Sequence, residues 1–450
     1  MKIVIVGIGK LGEYLTKVLV EDKNEVTLVD VDFTTSRDII DNEDVNYIYG
    51  NGLDSNVLLE AGVSEADLLI SVMEKDEQNV MCSLIGKKLG AKHTIARIRT
   101  PEYANSISLL KEDLGLSMTI NPELLTANKI ARALSIPSAL EETTFLKGRI
   151  QMISIKVKEK SVLEGMTVHA LSKRINGVIV CTIERDNKIT VPRGNTKIQA
   201  NDKINITGLS KDIKLFLEFA GLMSEKTKKV IICGGSDTSM YLAKQLIEMG
   251  MKVKIIEINE ERCKFLSEQL PQALIINGDV SDQYVLFEEG IETCDAIVTL
   301  TSIDEENIVC SMFASMQNVP KIITKINHIS LDGVVEKANI DTVITPHKIA
   351  ANQIVKYVRA MQQGQHSSCE ALYKFGDDSF EMLEFNIKKD FEGLNKNLKE
   401  MKLKEGLLVV AIQRGRNIIF PNGMDTIKLK DTIVVIDENG SVKDINDILG

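Results

Sequence analysis

The chain has 450 residues, a hydrophobic content of 44% without tryptophan, and a formal net charge of −10. This length predicts several domains, and the acidic balance argues against nucleic acid as a partner, because phosphate backbones are bound by cationic surfaces. No apolar run approaches the roughly 18 residues that a membrane-spanning helix needs. The apolar start 1–8 lacks a small-residue cleavage site, so we interpret it as a strand rather than a secretion signal.

The first glycine-rich segment is Gly7-Ile8-Gly9-Lys10-Leu11-Gly12, which follows the apolar run 2–6 and opens an amphipathic stretch. In a strand-loop-helix context, Gly7 permits the tight turn, Gly9 lets a pyrophosphate approach the backbone, and Gly12 lets the helix pack closely. The free amides at the helix start would then hold the phosphates. We therefore predict a nucleotide-binding loop.

An acidic residue ends the next apolar run at the distance expected for a ribose-binding carboxylate. Asp30 lies 23 residues after Gly7, and Asp32 is close by. Two carboxylates would repel a 2′-phosphate, so NAD(H) or an adenosine nucleotide is favoured over NADP. Because the apolar runs are continuous rather than alternating, they predict a doubly wound parallel sheet. Further strands are predicted at 46–49, 68–72 and 93–98, with helices at 55–61 and 77–89.

Several residues are predicted at the carboxyl rim of this sheet. Met73 and Glu74 follow the strand 68–72, beside the expected nucleoside, whereas Asp76 is interpreted as a helix-start acid. Arg97 and Arg99 alternate along the next strand and are expected on one face. They are interpreted either as phosphate or adenine contacts or as solvated charges at the sheet edge.

The arrangement recurs about 227 residues later, where Gly234-Gly235-Ser236-Asp237-Thr238-Ser239 follows the apolar run 229–233. We call the first unit copy A and the second copy A′. In copy A′, Ser236 and Ser239 stand where copy A has its second and third glycines, and Asp237 adds negative charge. Phosphate binding is therefore expected to be harder in copy A′. Lys325 and Asn327 replace the arginine pair. Copy A′ is expected by default to be a structural half-site or to hold a smaller nucleotide, with a bound dinucleotide left open.

A smaller β-rich module follows each larger copy. Pro192-Arg193-Gly194 matches Pro421-Asn422-Gly423 at an offset of 229 residues. We call the first of these smaller modules module B and the second module B′, so that the order along the chain is A, B, A′, B′. Modules of under about 80 residues are marginal alone, so docking onto a partner copy is expected. The helices predicted at 122–140 and 346–361 have apolar faces that fit either ordinary core or a subunit crossing.

These patterns predict an α/β fold of two tandem Rossmann-like doubly wound parallel sheets, each followed by a small β-rich α+β module. The polar stretch 362–369 is the predicted linker. The predicted boundaries are 1–120 and 228–345 for the Rossmann-like domains, 121–144 and 346–369 for crossover helices and linkers, and 145–222 and 370–450 for the small modules.

Catalytic and metal sites are not expected. The five histidines have no metal-ligand spacing. A dehydrogenase needs an acid-base residue beside the nicotinamide, and the sequence shows no recognisable candidate for one. The seven cysteines include no C-x-x-C motif and lie mostly in apolar or helical runs, which predicts reduced core thiols in a cytoplasmic protein.

The order of modules, with the glycine loop and the motifs Asp30-Val31-Asp32, Asp76-Glu77-Gln78-Asn79 and Ile95-Ala96-Arg97-Ile98-Arg99-Thr100-Pro101-Glu102-Tyr103, resembles the TrkA family. These are regulators of Trk potassium-uptake systems built from two RCK units. The resemblance covers essentially the whole chain. The chain departs from the family at its second glycine loop, because family members often have a more complete glycine loop in their second copy. This departure leaves nucleotide binding in copy A′ in question.

The resemblance implies a cytoplasmic protein at the inner face of the cell membrane, assembled as a homo-oligomer, expected to be a tetrameric ring, under a membrane potassium-translocating Trk subunit. NAD(H), ATP or ADP in the clefts would set the ring shape and so the potassium flux. The candidate cofactor-binding residues are Gly7, Ile8, Gly9, Lys10, Leu11, Gly12, Asp30, Asp32, Asn51, Gly52, Met73, Glu74, Arg97, Arg99, Gly234, Gly235, Glu257, Asp279 and Thr301.

Two other functions stay open at this point. The chain could be an NAD-dependent oxidoreductase whose catalytic residues are unrecognised, or a structural oligomer with vestigial clefts. A regulatory protein without enzymatic activity remains the favoured interpretation.

Overall fold

The larger copies pair with each other, and so do the smaller modules. The computed structural model describes residues 1–32, 42–100, 103, 107, 114–135, 141–146, 148–186, 188–222, 227–327, 340, 342–363, 369–375, 380–388, 390–438, 442 and 444–450. One compact unit combines Met1–Leu134 with Thr227–Val355, and the other combines Ser135–Lys226 with Lys356–Gly450. Each unit therefore contains both members of one repeat.

Copy A is a doubly wound parallel sheet, as predicted. Its strands are β1 (Lys2–Val6), β2 (Glu25–Asp30), β3 (Asn46–Tyr49), β4 (Leu68–Ser71), β5 (His93–Arg97) and β6 (Met118–Ile120). Its helices are α1 (Lys10–Glu21), α2 (Ser55–Glu60), α3 (Asp76–Leu89) and α4 (Pro122–Ser135), with a short 3-10 helix at Val63–Glu65. The strand order β3-β2-β1-β4-β5-β6 reverses between β1 and β4, so their carboxyl ends form a topological switch point.

Module B is an antiparallel sheet with helices. It contains β7 (Glu141–Phe145), β8 (Ile150–Lys156), α5 (Val168–Arg174), β9 (Val178–Arg185), β10 (Lys188–Thr190), β11 (Lys203–Gly208) and α6 (Ser210–Phe219). The strand order is β10-β9-β11-β8-β7. The edge strand β7 begins inside the segment that was predicted as crossover helix and linker, since its Thr143, Thr144 and Phe145 favour a strand.

Copy A′ repeats the topology of copy A, with the order β14-β13-β12-β15-β16-β17. In chain order, its elements are β12 (Lys229–Cys233), α7 (Asp237–Glu248), β13 (Lys252–Glu257), α8 (Glu260–Gln269), β14 (Leu274–Asn277), α9 (Gln283–Glu288), a 3-10 helix at Ile291–Thr293, β15 (Ala296–Thr299), α10 (Asp304–Met316), β16 (Lys321–Lys325), β17 (Thr342–Ile344) and α11 (Pro346–Gln363).

Module B′ repeats module B, with the strand order β18-β19-β22-β20-β21. Its strands are β18 (Cys369–Phe375), β19 (Phe380–Asn386), β20 (Leu407–Arg414), β21 (Asn417–Ile419) and β22 (Thr432–Asp437), with 3-10 helices at Leu398–Glu400 and Ile445–Ile448. The predicted linker is partly wrong, because Gln362 and Gln363 still belong to α11 and Cys369 already begins β18. Glutamine is a good helix former and does not end a helix. Residues 364–368 lie outside the described part of the chain.

The apolar face of α4 packs against copy A′. Ala127, Ile130 and Leu134 are fully buried in one hydrophobic cluster with Val230 and Leu242. The helix therefore crosses from one copy to the other within the same chain, and its apolar face belongs to an internal core.

The small modules share a core of their own, which confirms the expected docking. Phe145 and Met152 of module B belong to one buried cluster with Phe380 and Met382 of module B′. The backbone N–H of Leu146 donates to Glu384 at 2.9 Å across the same junction. Because a domain of this size buries too little surface alone, the shared core supplies what each module lacks.

The described cysteines behave as core thiols. Six of them are buried and free, and burial raises the pKa of Cys82 to about 11 and that of Cys181 to about 12. Within the described residues, no group of three or more histidine, cysteine or carboxylate side chains is arranged to hold a metal ion. None of the helices described is both long and apolar enough to cross a membrane.

Candidate functional site

Two glycines of the copy A loop are required by the fold. Gly7 has a φ of +98°, and a Cβ atom there would lie 2.8 Å from the backbone nitrogen of Met73. A Cβ atom on Gly12 would lie 2.2 Å from the carbonyl oxygen of Gly7. Packing alone therefore explains these two positions.

Gly9 is different, because the structure gives no packing reason for a glycine. Its φ of −77° and ψ of −175° suit any residue, and a Cβ atom there would meet no described atom within 4 Å. Gly9 precedes α1, which lacks a side-chain cap hydrogen bond at its start. A bare backbone beside an uncapped helix start is a cradle that a phosphate fits.

Asp30 braces this loop from the end of β2. Its Oδ2 accepts the N–H of Ile8 at 2.5 Å, and its Oδ1 accepts the N–H of Asp32 at 2.9 Å. The carboxylate therefore stands beside the phosphate cradle, where its remaining lone pairs can accept ribose hydroxyls. Its charge, with that of exposed Asp32, disfavours a 2′-phosphate at this place.

Asn51 and Gly52 lie beyond the end of β3. A Cβ atom on Gly52 would stand 2.2 Å from Cγ1 of Val6 and 3.4 Å from the sulfur of Met73. Gly52 therefore packs against the end of β1. Asn51 is exposed, and its side-chain oxygen accepts the N–H of Leu53 at 3.0 Å. The loop after β3 thus stays close to the switch point.

The turn after β4 is held by a residue that the sequence analysis did not assign to the site. Asn79 is fully buried; its Oδ1 accepts the N–H of Met73 at 2.7 Å, and its Nδ2 donates to the carbonyl oxygens of Met73 and Arg97 at 3.0 and 3.1 Å. Asn307 makes the same contacts to Thr301 and Lys325 in copy A′. The repeated Asp-x-x-Asn spacing was the available signal for this clamp.

Arg97 turns toward the start of α4. Its Nη2 lies 3.4 Å from Oε1 of Glu123, and both side chains are about 20% exposed. Burial lowers the pKa of the Arg97 guanidinium and raises the pKa of the Glu123 carboxyl, each opposed by the charge of the other. Arg97 Nε and Glu123 Oε2 have no hydrogen-bond partner within the described part of the molecule. This is a poorly satisfied ion pair.

Arg99 lies just beyond the end of β5 and has different contacts. Its guanidinium donates to the carbonyl oxygen of Glu74 at the predicted rim. Its backbone nitrogen lies 3.0 Å from both carboxylate oxygens of Asp76, and Oδ2 of Asp76 also accepts the N–H of Thr100 at 2.8 Å. Asp76 is the first residue of α3, as predicted, but it is buried and clamps the end of β5 rather than only facing the helix dipole.

The glycine loop of copy A′ is occupied by its own side chains. Ser236 caps α7, with its Oγ accepting the N–H of Ser239 at 3.3 Å. The hydroxyl of Ser239 donates to the carbonyl oxygen of Gly234 at 2.6 Å. Gly235 donates its N–H to Glu257 at 2.6 Å, which matches the Ile8 to Asp30 contact of copy A.

A salt bridge closes the same loop from α8. Nη2 of Arg262 lies 2.7 Å from Oδ1 of Asp237, and Nε of Arg262 donates to the carbonyl oxygen of Gly235 at 2.6 Å. Asp237 therefore puts a paired carboxylate at a helix start, where copy A has Lys10. An anion would have to compete with this carboxylate.

The rim residues of copy A′ make local contacts. Hydrogen bonds from Ser281 lower the pKa of Asp279, and Thr301 Oγ1 donates to the carbonyl oxygen of Ile303 at 3.1 Å. Burial lowers the pKa of Lys325, whose Nζ donates to the carbonyl oxygen of Leu300 at 3.3 Å. Asn327 donates its side-chain N–H to Asp304 at 3.0 Å.

The sheet order, the bare glycine loop and the acid at the end of β2 together define a protein built from two nucleotide-binding folds of the Rossmann type. Family models carry this further. The TrkA-N domain matches residues 3–122 and 230–346, and the TrkA-C domain matches residues 152–221 and 382–450. The chain belongs to the TrkA family.

Curated relatives match the chain along its whole length. The Trk system potassium uptake protein TrkA homolog of Archaeoglobus fulgidus is 30% identical and is covered, like this chain, to 100%. The Trk system potassium uptake protein TrkA of Haemophilus influenzae is 29% identical over 97% of this chain and 95% of its own.

Solved structures share the fold at low sequence identity. The GsuK RCK domain superposes with a TM-score of 0.64 at 17% identity, covering 97% of this chain and 92% of its own. The GsuK channel bound to NAD also has a TM-score of 0.64 at 17% identity, with 97% and 76% covered. The tandem Rossmann-like fold with small β-rich modules is therefore that of RCK domains.

Proposed function

We propose that this protein is the nucleotide-sensing regulatory subunit of a Trk-type potassium-uptake system, without enzymatic activity. The observation that carries the proposal is Gly9, which leaves an uncapped helix start bare although packing does not require a glycine there. A fold that needed the glycine loop only for packing would explain Gly7 and Gly12 but not Gly9. The names of the full-length relatives supply the potassium-uptake context.

The ligand would be NAD(H), ATP or ADP, bound in the cleft of copy A. The loop from Gly7 to Gly12 would hold the phosphates and Asp30 the ribose, with Asn51, Gly52, Met73 and Glu74 at the nucleoside rim. Arg97 and Arg99 would make the distal contacts. A GsuK channel bound to NAD and a GsuK bound to ADP have related folds, which supports nucleotides of this class.

Copy A′ would be a structural half-site. Asp237 and Arg262 form a salt bridge at its loop. Gly235 donates its N–H to Glu257 at the end of β13, and the carbonyl oxygen of Gly234 accepts the hydroxyl of Ser239. Asp279 and Thr301 would complete the rim if a smaller nucleotide entered. The proposed domain boundaries are 120, 222 and 345, and the small modules begin with β7 and β18 rather than after residues 144 and 369.

The protein would act at the inner, cytoplasmic face of the membrane, as a homo-oligomer in the form of a tetrameric ring, on a potassium-translocating partner. A nucleotide can bias such an assembly only through unequal affinity for its conformations. The regulatory signal would therefore be the difference in affinity, rather than the affinity itself.

Calorimetric titration of the purified full chain with NADH, NAD, ATP and ADP tests this function. We expect binding of at least one of these nucleotides at one tight site per chain. Heats indistinguishable from dilution for all four would contradict the proposal. Two equal sites per chain would contradict the half-site assignment of copy A′.

A further inference from the structure

Tyr241 of copy A′ contacts the backbone of Arg99 in copy A. Tyr241 lies on α7, and its hydroxyl donates to the carbonyl oxygen of Arg99 at 3.1 Å. Nδ2 of Asn121 lies 3.1 Å from the same hydroxyl and 3.2 Å from the same carbonyl oxygen. Polar groups from both copies therefore converge on one carbonyl group.

The backbone of Arg99 is held on both sides, while its side chain faces the cleft rim. Asp76 accepts its N–H at 3.0 Å, and its guanidinium donates to the carbonyl oxygen of Glu74. A phosphate near this rim would compete with that neutral carbonyl for the guanidinium, because charge-assisted hydrogen bonds are stronger. A phosphate that binds the Arg99 guanidinium would thus act on the residue whose carbonyl oxygen accepts the hydrogen bond from Tyr241 on α7.

Asn121 strengthens the same connection. Its Oδ1 accepts the N–H of Leu124 at 2.8 Å and so caps the start of α4. Since α4 packs into the core of copy A′ through Ile130 and Leu134, the Arg99 carbonyl is joined to copy A′ both directly and through this helix.

We propose that Tyr241 is a positioning residue that transmits nucleotide occupancy of the copy A cleft to α7 of copy A′. This inference rests on the proposed nucleotide binding in copy A. It gives copy A′ a function that needs no nucleotide of its own: the second copy responds to the first through a hydroxyl that contacts the Arg99 backbone.

Gln245 provides a matched control on the same helix. One turn beyond Tyr241, its Nε2 donates to Oδ1 of Asn128 on α4 at 2.7 Å. This bond also joins α7 to copy A, but it does not involve Arg99. Gln245→Met removes one polar contact between the copies, whereas Tyr241→Phe removes the contacts of the hydroxyl with Arg99 and Asn121.

Hydrogen exchange on the full chain, with and without NADH or ATP, tests the inference. In the wild-type protein, nucleotide should slow amide exchange about fivefold in peptides covering the first glycine loop and in those covering α7. Tyr241→Phe should keep the slowing at the loop and a calorimetric Kd within about twofold of wild type, and should lose the slowing at α7. Gln245→Met should keep both, and thermal unfolding checks that each variant is folded.

The outcomes separate the two proposals. Slowing at α7 that persists in Tyr241→Phe, or that is absent in the wild-type protein despite slowing at the loop, overturns the relay and leaves nucleotide binding intact. A Tyr241→Phe protein that no longer binds nucleotide makes Tyr241 a binding residue and also overturns the relay. Absence of binding and of loop protection in the wild-type protein overturns the proposed function together with the relay.

Discussion

Ser236 stands in the second glycine loop where Gly9 stands in the first, and only Ser236 caps a helix. Its Oγ accepts the N–H of Ser239 at 3.3 Å, whereas the helix after Gly9 has no side-chain cap hydrogen bond. The loop therefore supplies a side-chain cap to the following helix in copy A′ and none in copy A. This difference makes the two clefts chemically unequal.

Replacing Gly9 with valine should abolish the tight nucleotide site. The side chain would enter the open space that a pyrophosphate needs, while the backbone of Gly9 accepts a Cβ atom without a clash. Calorimetry should show the loss of binding, and thermal unfolding should stay close to wild type.

Ser236→Val is the matched control: it should cost about 1 kcal/mol of stability through the lost cap and leave the tight site intact. Loss of tight binding in Ser236→Val instead would reverse the ranking of the two copies.

The sequence was sufficient to predict the parallel sheets, because their strands are continuous apolar runs that can be recognised locally. β1 and β12 follow directly from such runs and end at the glycine loops. The repeat offset then predicted the second copy from the first. Local patterns therefore carried most of the fold.

Side-chain partners brought together from distant segments were beyond prediction. Arg97 pairs with Glu123, which lies 26 residues later on α4. Arg262 reaches Asp237 from 25 residues away and fills the second loop. Neither contact has a periodic signal, because each depends on where a following helix packs.

Arg99→Ala should weaken binding of the most highly charged nucleotide more than that of adenosine monophosphate. The guanidinium lies at the rim, and a charge-assisted contact contributes about 1.5 to 3 kcal/mol only to ligands whose phosphates reach it. Calorimetric affinities for ATP, ADP and the monophosphate measure the effect. Equal losses for all three would identify Arg99 as an ordinary charge at the sheet edge.

The control for Arg99 is Lys88, an exposed residue near the end of α3. Lys88→Ala removes the same unit of charge away from the cleft. It should change the three affinities equally and only slightly, since exposed charges at a distance are screened. A preferential loss of ATP binding in this variant would mean that net charge, rather than the Arg99 contact, sets the order.

The protein should not turn over nicotinamide. The sequence offers no acid-base residue that declares itself beside the expected nicotinamide position, and the small modules take the place of a substrate domain. Incubation of the full chain with NAD or NADH and a panel of hydroxy acids, alcohols and aldehydes should leave the nicotinamide absorbance unchanged. Steady turnover that scales with protein concentration, and that Gly9→Val abolishes, would establish the oxidoreductase alternative.

Lys356→Met should stabilise the protein at pH 7. Burial lowers the pKa of Lys356 on α11 from 10.5 to about 8, and the Glu384 carboxylate opposes this shift only in part. Below pH 8 the folded protein must hold a partly buried ammonium, so removing it should gain about 1 kcal/mol after allowance for its exposure. Between pH 8 and 10.5 the unfolded chain binds more protons than the folded protein. The free energy of unfolding of the wild-type protein should therefore rise with pH, and its difference from Lys356→Met should shrink. Urea unfolding at pH 7 and pH 10 measures both effects, with Lys88→Met as the exposed control; a difference from wild type that does not change with pH would contradict the assignment.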